Sequence, residues 1–170
     1  MIDCLRLKNH QSSIINRKSS EGFTLLELIV VFSVIAILST IGIASFVTYS
    51  RTQALDSATL QFENTVNQAK SESLSQVKPD TCPGQLSGYE VDILNSTQYS
   101  MSVICGSTIG TTTTLPTNIS FTTPPATVFF PVLSGGVQVT GISSGPPWNI
   151  ALTAYGLTKT VTIDSVGNIY

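Results

Sequence analysis

Apolar residues run almost unbroken from residue 23 to residue 47 (FTLLELIVVFSVIAILSTIGIASFV), then thin into a periodic stripe. The unbroken stretch has 25 residues and a single charge, Glu27. As a helix it would reach about 37 Å, enough to cross the roughly 30 Å of a bilayer's hydrocarbon. An ordinary secretory signal has a shorter apolar core and is cut behind it. Beyond Arg51 the apolar positions are Leu55, Ala58, Phe62, Val66 and Ala69, then Leu74 and Val77. Steps of three and four put them on one helical face. Gln53, Asp56, Glu63, Asn67, Lys70 and Gln76 occupy the other. No proline occurs between residue 23 and Pro79. The two stretches therefore predict one helix of about fifty residues, stopped at Lys78-Pro79-Asp80. The stripe is most simply core, packed under a sheet of the same chain; a partner-helix interface is the other reading.

From residue 81 the pattern changes to β-branched residues alternating with polar ones, among Thr, Gly, Pro and Ser. Strands are expected at 88–94, 98–104, 127–133, 136–142, 149–154 and 159–164, with a last short one at 167–170. Gly135-Gly136, Ser144-Gly145-Pro146-Pro147 and Val166-Gly167-Asn168 mark turns. Residues 106–118 read as the least structured part, with the Thr111–Thr114 run as a loop or an exposed edge. The fold class is α+β: a protruding N-terminal helix whose second half packs on a C-terminal antiparallel sheet. The organisation is then a leader at 1–22, a membrane-spanning helix at 23–47, an amphipathic helix at 48–78 and a β-rich head at 79–170.

Charge adds direction to this picture. Residues 1–22 carry Arg6, Lys8, Arg17 and Lys18 against Asp3 and Glu21, a net +2. Residues 23–170 carry Arg51, Lys70, Lys78 and Lys159 against eight acidic residues, a net −4. A basic segment before an apolar run keeps its own end in the cytoplasm and sends the rest across. The acidic remainder offers no electrostatic footprint for a polyanion. Mean hydropathy is +0.28 and only 11% of residues are charged, values that the apolar stretch accounts for.

Of the three cysteines, Cys4 precedes the apolar run, and Cys82 and Cys105 follow it. An oxidising compartment would permit a disulfide between the exported pair, closing a loop worth roughly 3 kcal/mol. Two free buried thiols are the alternative.

The chemistry concentrates in Glu21-Gly22-Phe23-Thr24-Leu25-Leu26-Glu27. A basic leader ends in Gly, a Phe follows, and a Glu lies five residues into the remaining chain. This arrangement resembles the signal of type IV prepilins and type II secretion pseudopilins. The resemblance implies a pilin-like fold and a cut between Gly22 and Phe23 by a membrane-embedded prepilin peptidase. A residue without a side chain suits the extended backbone that such a protease must accept. It further implies N-methylation of the new amine on Phe23 and pairing of Glu27 with the Phe23 amine of a neighbouring subunit. A carboxylate at that depth costs a few kcal/mol, which the pairing would offset in a low dielectric. A glutamate snorkelling to the interface is the plain alternative.

The implied partners are other pilin or pseudopilin subunits, the peptidase/N-methyltransferase and an inner-membrane assembly platform. The implied location is the bacterial inner membrane, single-pass, then an extracytoplasmic filament. Many major pilins carry a proline near the position of Ala44; its absence here leans toward a minor subunit. Gly42, Ala44 and Ser45 either permit close helix contact or are ordinary membrane-helix composition. The segment from Val128 is similar in outline to H-type minor pseudopilins, through Val128-Phe129-Phe130-Pro131, the Gly135-Gly136 turn and Val161 to Tyr170. Some of those relatives bind DNA with basic residues near the end of the chain. This one has Lys159, Asp164 and no arginine there, which argues against nucleic acid as a partner.

Three function classes compete: a structural filament subunit, a filament-tip subunit recognising DNA or a surface, and a tethered enzyme. No enzyme is expected. His10 lies in the leader, the exported part has no histidine, and neither G-x-S-x-G nor a phosphate loop is present. No cofactor or metal is called for. Asp80, Glu90 and Asp92 read as solvated surface rather than a cation site. Trp148, behind Pro146-Pro147, reads as packed on the sheet rather than as an exposed ligand platform. The glycosylation-type triplets Asn95-Ser96-Thr97 and Asn118-Ile119-Ser120 are short enough to arise by chance.

Overall fold

The computed structural model describes residues 22–170 apart from residue 124. The leader cations, Asp3, Glu21, Cys4 and His10 lie outside the described residues. The chain divides into two compact units at the junction of Gly42 and Ile43. One helix and eight strands follow in order: α1 (Leu25–Leu74), β1 (Gly88–Asn95), β2 (Gln98–Ile104), β3 (Thr108–Thr114), β4 (Ser120–Phe121), β5 (Ala126–Pro131), β6 (Gln138–Thr140), β7 (Trp148–Ala154) and β8 (Leu157–Ile163).

The expected helix forms as one element of 50 residues, but it stops before Lys78-Pro79-Asp80. Gln76 takes a left-handed φ of 52°. Its N–H donates to Ser73 O, and Val77 N–H reaches back to Glu72 O. That pair of bonds is a Schellman cap, usually built on glycine. A side chain in this conformation is strained by about 1 kcal/mol. Gln76→Gly should therefore raise the stability of the head by about 0.5–1 kcal/mol, measured by urea denaturation.

The buried face of the helix in the head is Leu55, Ala58, Phe62, Val66, Ala69 and Ser73. Leu74 and Val77, placed on that stripe from sequence, are each 49% exposed. Four residues beyond Ala69 the inward position falls on Ser73, not Leu74. Ser73 is 1% exposed, and its hydroxyl donates to Phe130 O, 2.9 Å away. A polar side chain is tolerated there because it has this partner.

The strands form two antiparallel sheets where one was expected. The larger has the order β3-β2-β1-β5-β6, and the smaller β4-β7-β8. On β1, Tyr89, Val91 and Ile93 point inward, and Glu90 and Asp92 outward, the alternation that period-2 pleating requires. Phe62 meets both sheets. Its ring packs edge-on against Tyr99 of β2 and Phe121 of β4, each at 5.2 Å between centroids. The segment expected to be least structured holds β3, seven residues paired with β2 from Gln98↔Thr114 to Ile104↔Thr108. β4 also went unread, at two residues too short to show a pattern. The expected last strand is a single bridge, Ile163↔Ile169, with Thr162 and Tyr170 exchanging both backbone hydrogen bonds. Trp148 opens β7, half-buried and packed on the core.

Cys82 and Cys105 are joined in a disulfide across 23 residues, with their Cα atoms 5.7 Å apart. It ties the segment after the helix to the end of β2. Gly84 N–H donates to Cys105 O at 3.0 Å. A Cβ on Gly84 would stand 2.5 Å from that oxygen, so the close approach requires glycine.

Candidate processing and assembly site

The residues around the proposed cut are held by little besides their own helix. Phe23 is 81% exposed, and no described side chain from Phe23 to Val47 is buried. A contiguous apolar surface of this kind belongs in lipid or against another protein. Among the described residues one helix, α1, is long and apolar enough to cross a membrane. Three hydroxyls in this apolar stretch bond to their own helix. Ser33 donates to Val30 O, Ser39 to Ile35 O and Thr40 to Ile37 O, each at 2.7 Å. In hydrocarbon such groups have no water to turn to, so internal bonding is what a spanning helix needs. Gly42 lies within the helix, and Ala44 and Ser45 are exposed on it.

Thr24 starts the helix. Its hydroxyl oxygen accepts the backbone N–H of Glu27 at 3.2 Å, and its carbonyl accepts Leu28 N–H at 3.2 Å. The sequence reading passed over Thr24, although Thr-x-x-Glu before an apolar run is a helix-start signature. Glu27 thus sits in the first turn, where the helix dipole favours negative charge. A cut before Phe23 would add a positive amine beside the same turn, and the carboxylate would offset it.

Among the described residues nothing crowds Gly22: a Cβ built there meets none of them within 4 Å.

Residues 17–43 match the prokaryotic N-terminal methylation motif. This motif is the type IV pilin and pseudopilin signal, and it spans Gly22, Phe23, Glu27 and most of the apolar stretch. It implies processing by a prepilin peptidase and assembly with other pilins. Together with the long apolar helix, it fits a single-pass anchor in the inner membrane and a structural rather than catalytic protein. No curated protein and no solved structure matches the chain.

Three of the four cations beyond residue 22 make contacts within the chain. Lys159 Nζ pairs with Asp56 Oδ1 at 3.0 Å. The Arg51 guanidinium lies 4.8 Å over the Tyr155 ring. Lys70 Nζ donates to Gly167 O at 2.8 Å. These contacts tie α1 to β8 and the turns around it. Glu90 and Asp92 are neighbours on the outer face of β1, and among the described residues no three His, Cys, Asp or Glu side chains form a metal-sized group. Burial, then the neighbouring Asp92, pushes the Glu90 carboxyl above its ordinary range.

Asp164 organises the turn that Lys70 holds. Its carboxylate accepts Asn168 N–H at 2.8 Å and Val166 N–H at 2.9 Å. The Asn168 N–H is the main reason this carboxyl is held below its usual range. A depressed folded value means the contribution is present above the ordinary carboxylate pKa and is lost as pH falls through the folded one. Amide exchange at Val166 and Asn168 should therefore accelerate in acid, after correction for the intrinsic rate. Asp164→Ala should accelerate it about tenfold at neutral pH.

Proposed function

We propose that this chain is a minor subunit, of the H-type pseudopilin kind, in a type IV pilus-like or type II secretion filament. Prepilin peptidase cuts it between Gly22 and Phe23, and Phe23 is N-methylated. The freed subunit waits in the inner membrane with its head outside, and Glu27 then meets the Phe23 amine of a neighbour as the apolar helix enters the filament. The observation that carries this reading is the pairing of the methylation motif with a glycine that no described residue crowds. A helix starts directly behind it, with a carboxylate in its exposed, apolar first turn.

The competing reading is a filament-tip subunit recognising DNA or a surface, and its DNA form asks for a cluster of free cations on the head. Three of the four cations beyond residue 22 are engaged inside it, namely Arg51, Lys70 and Lys159. Lys78 alone makes no patch.

Glu27→Ala should leave membrane insertion and cutting intact, since it makes the helix more apolar. Its incorporation into filaments, measured by immunoblot of the sheared fraction, should fall at least tenfold, about 1.4 kcal/mol of lost pairing. Wild-type incorporation of that variant would refute the pairing.

A further inference from the structure

β3 is an edge strand without the usual guards. It runs for seven residues on the outside of the five-stranded sheet. Its sequence, Thr-Ile-Gly-Thr-Thr-Thr-Thr, holds no charge and no proline, and its pairing with β2 has no bulge. Charges, prolines, bulges and short length are the common protections of an open edge. The opposite edge, β6, is three residues long. Part of the β8 edge is covered by Tyr170, bonded both ways to Thr162.

The phase of the ladder tells which groups of β3 are free. Leu115 N–H donates to Thr97 O at one end, and Cys105 N–H to Ser107 O at the other. Hydrogen-bonded positions alternate along an antiparallel pair. Ile109, Thr111 and Thr113 therefore bond to β2, and the N–H and C=O of Gly110 and Thr112 point off the sheet. Beside this edge, between β3 and α1, lies a groove of about 400 Å³. Gln68 and Glu72 line its helix side, Ile109 and Thr113 its strand side, and Tyr89 and Met101 lie between. Glu72 is the one formal charge in this lining. It accepts a hydrogen bond from Gln68, and the salt bridge found among the described residues lies elsewhere.

We propose that β3 takes up an extended segment of another exported polypeptide as an added strand, with a basic side chain of that segment reaching Glu72 in the groove. An unpaired, uncharged strand edge fits an extended backbone, and an uncompensated carboxylate in an acidic head fits a cation. A second copy of β3 does not suit, because that strand holds no charge and would bring no cation to Glu72. This choice of occupant rests on the anchored-subunit reading above; the open edge does not.

The test uses the full chain in detergent micelles and a short synthetic peptide of alternating Thr and Val with one central Lys. Saturating peptide should slow amide exchange at Gly110 and Thr112 about tenfold or more. A peptide N-methylated at alternate amides should not slow it. Thr112→Pro removes an N–H that bonds to nothing in β2, so it should keep the fold and abolish the effect. Should that variant fail to fold, the N-methylated peptide carries the same test. Glu72→Gln should erase the preference for the Lys peptide over one with central Glu. Unchanged exchange with every peptide would overturn the proposal, as would equal slowing by the N-methylated one. So would protection without peptide that rises with protein concentration, which would assign the edge to a second copy. None of these measurements involves the cut at Gly22 or the assembly role of Glu27, so failure here is separable from failure of the filament reading.

Discussion

Gly22→Val should leave the protein uncut in cells that process the wild type. The described residues leave room for the new side chain, since a Cβ at this position meets none of them within 4 Å. The helix begins at Leu25 and is capped by Thr24, so neither the fold nor membrane insertion should change. The whole effect would fall on the protease, which must accept an extended backbone with the scissile carbonyl in register. A small misplacement of reacting atoms costs about 10²-fold in rate, and a branched side chain beside the cut should cost at least that. The check is the mobility of the variant beside wild type after co-expression with a prepilin peptidase. A normal shift to the mature size would mean that glycine is not what the enzyme reads.

Phe62→Ala should be the most damaging single change within the head. The side chain is fully buried. It joins Tyr99 of the large sheet to Phe121 of the small one, and those two rings also pack edge-on with centroids 6.0 Å apart. Truncation would remove a full ring, open a cavity and break two aromatic pairs at once. Large-to-small changes of this type cost about 3–5 kcal/mol, with aromatic pairs adding up to about 1 kcal/mol each. A domain of this size has only about 5–15 kcal/mol to lose. The urea midpoint of the head should drop accordingly, with an unchanged slope. Phe62→Leu should recover more than half of the loss, because it refills most of the cavity. A loss below about 1 kcal/mol for Phe62→Ala would show that the two sheets hold together without this ring.

The parts of the fold that were legible in the sequence are those where pattern and burial coincide. β1 and β2 were readable nearly to the residue because apolar and polar residues alternate along them, as in Tyr89, Val91 and Ile93 against Glu90 and Asp92. The helix was readable because nothing breaks it before Pro79. Its end was not, because the cap uses Gln76 in a conformation that normally announces itself as glycine. β3 escaped because a threonine run at a sheet edge has almost no buried face to reveal a period of two. The division into two sheets escaped because β4 contributes only Ser120 and Phe121. The placement of Leu74 on the buried stripe failed for a simpler reason. Ser73 sits at the inward angle, and its hydroxyl has a carbonyl to bond. At the proposed processing site, Gly22, Phe23 and Glu27 stand out in the sequence because a charge interrupts an apolar run. Thr24, whose hydroxyl lies in plain sight three residues before Glu27, needed the helix start to be placed before its role was visible.

The filament-subunit account rests most directly on one covalent event, and the mass of the N-terminal fragment after co-expression with a prepilin peptidase and its methyl donor reports it. The account predicts a chain beginning at Phe23 and carrying one added methyl group. A chain that still retains residues 17–22 under those conditions would contradict it. The long helix and the two-sheet head would then be a membrane-anchored domain that no pilus or secretion filament matures.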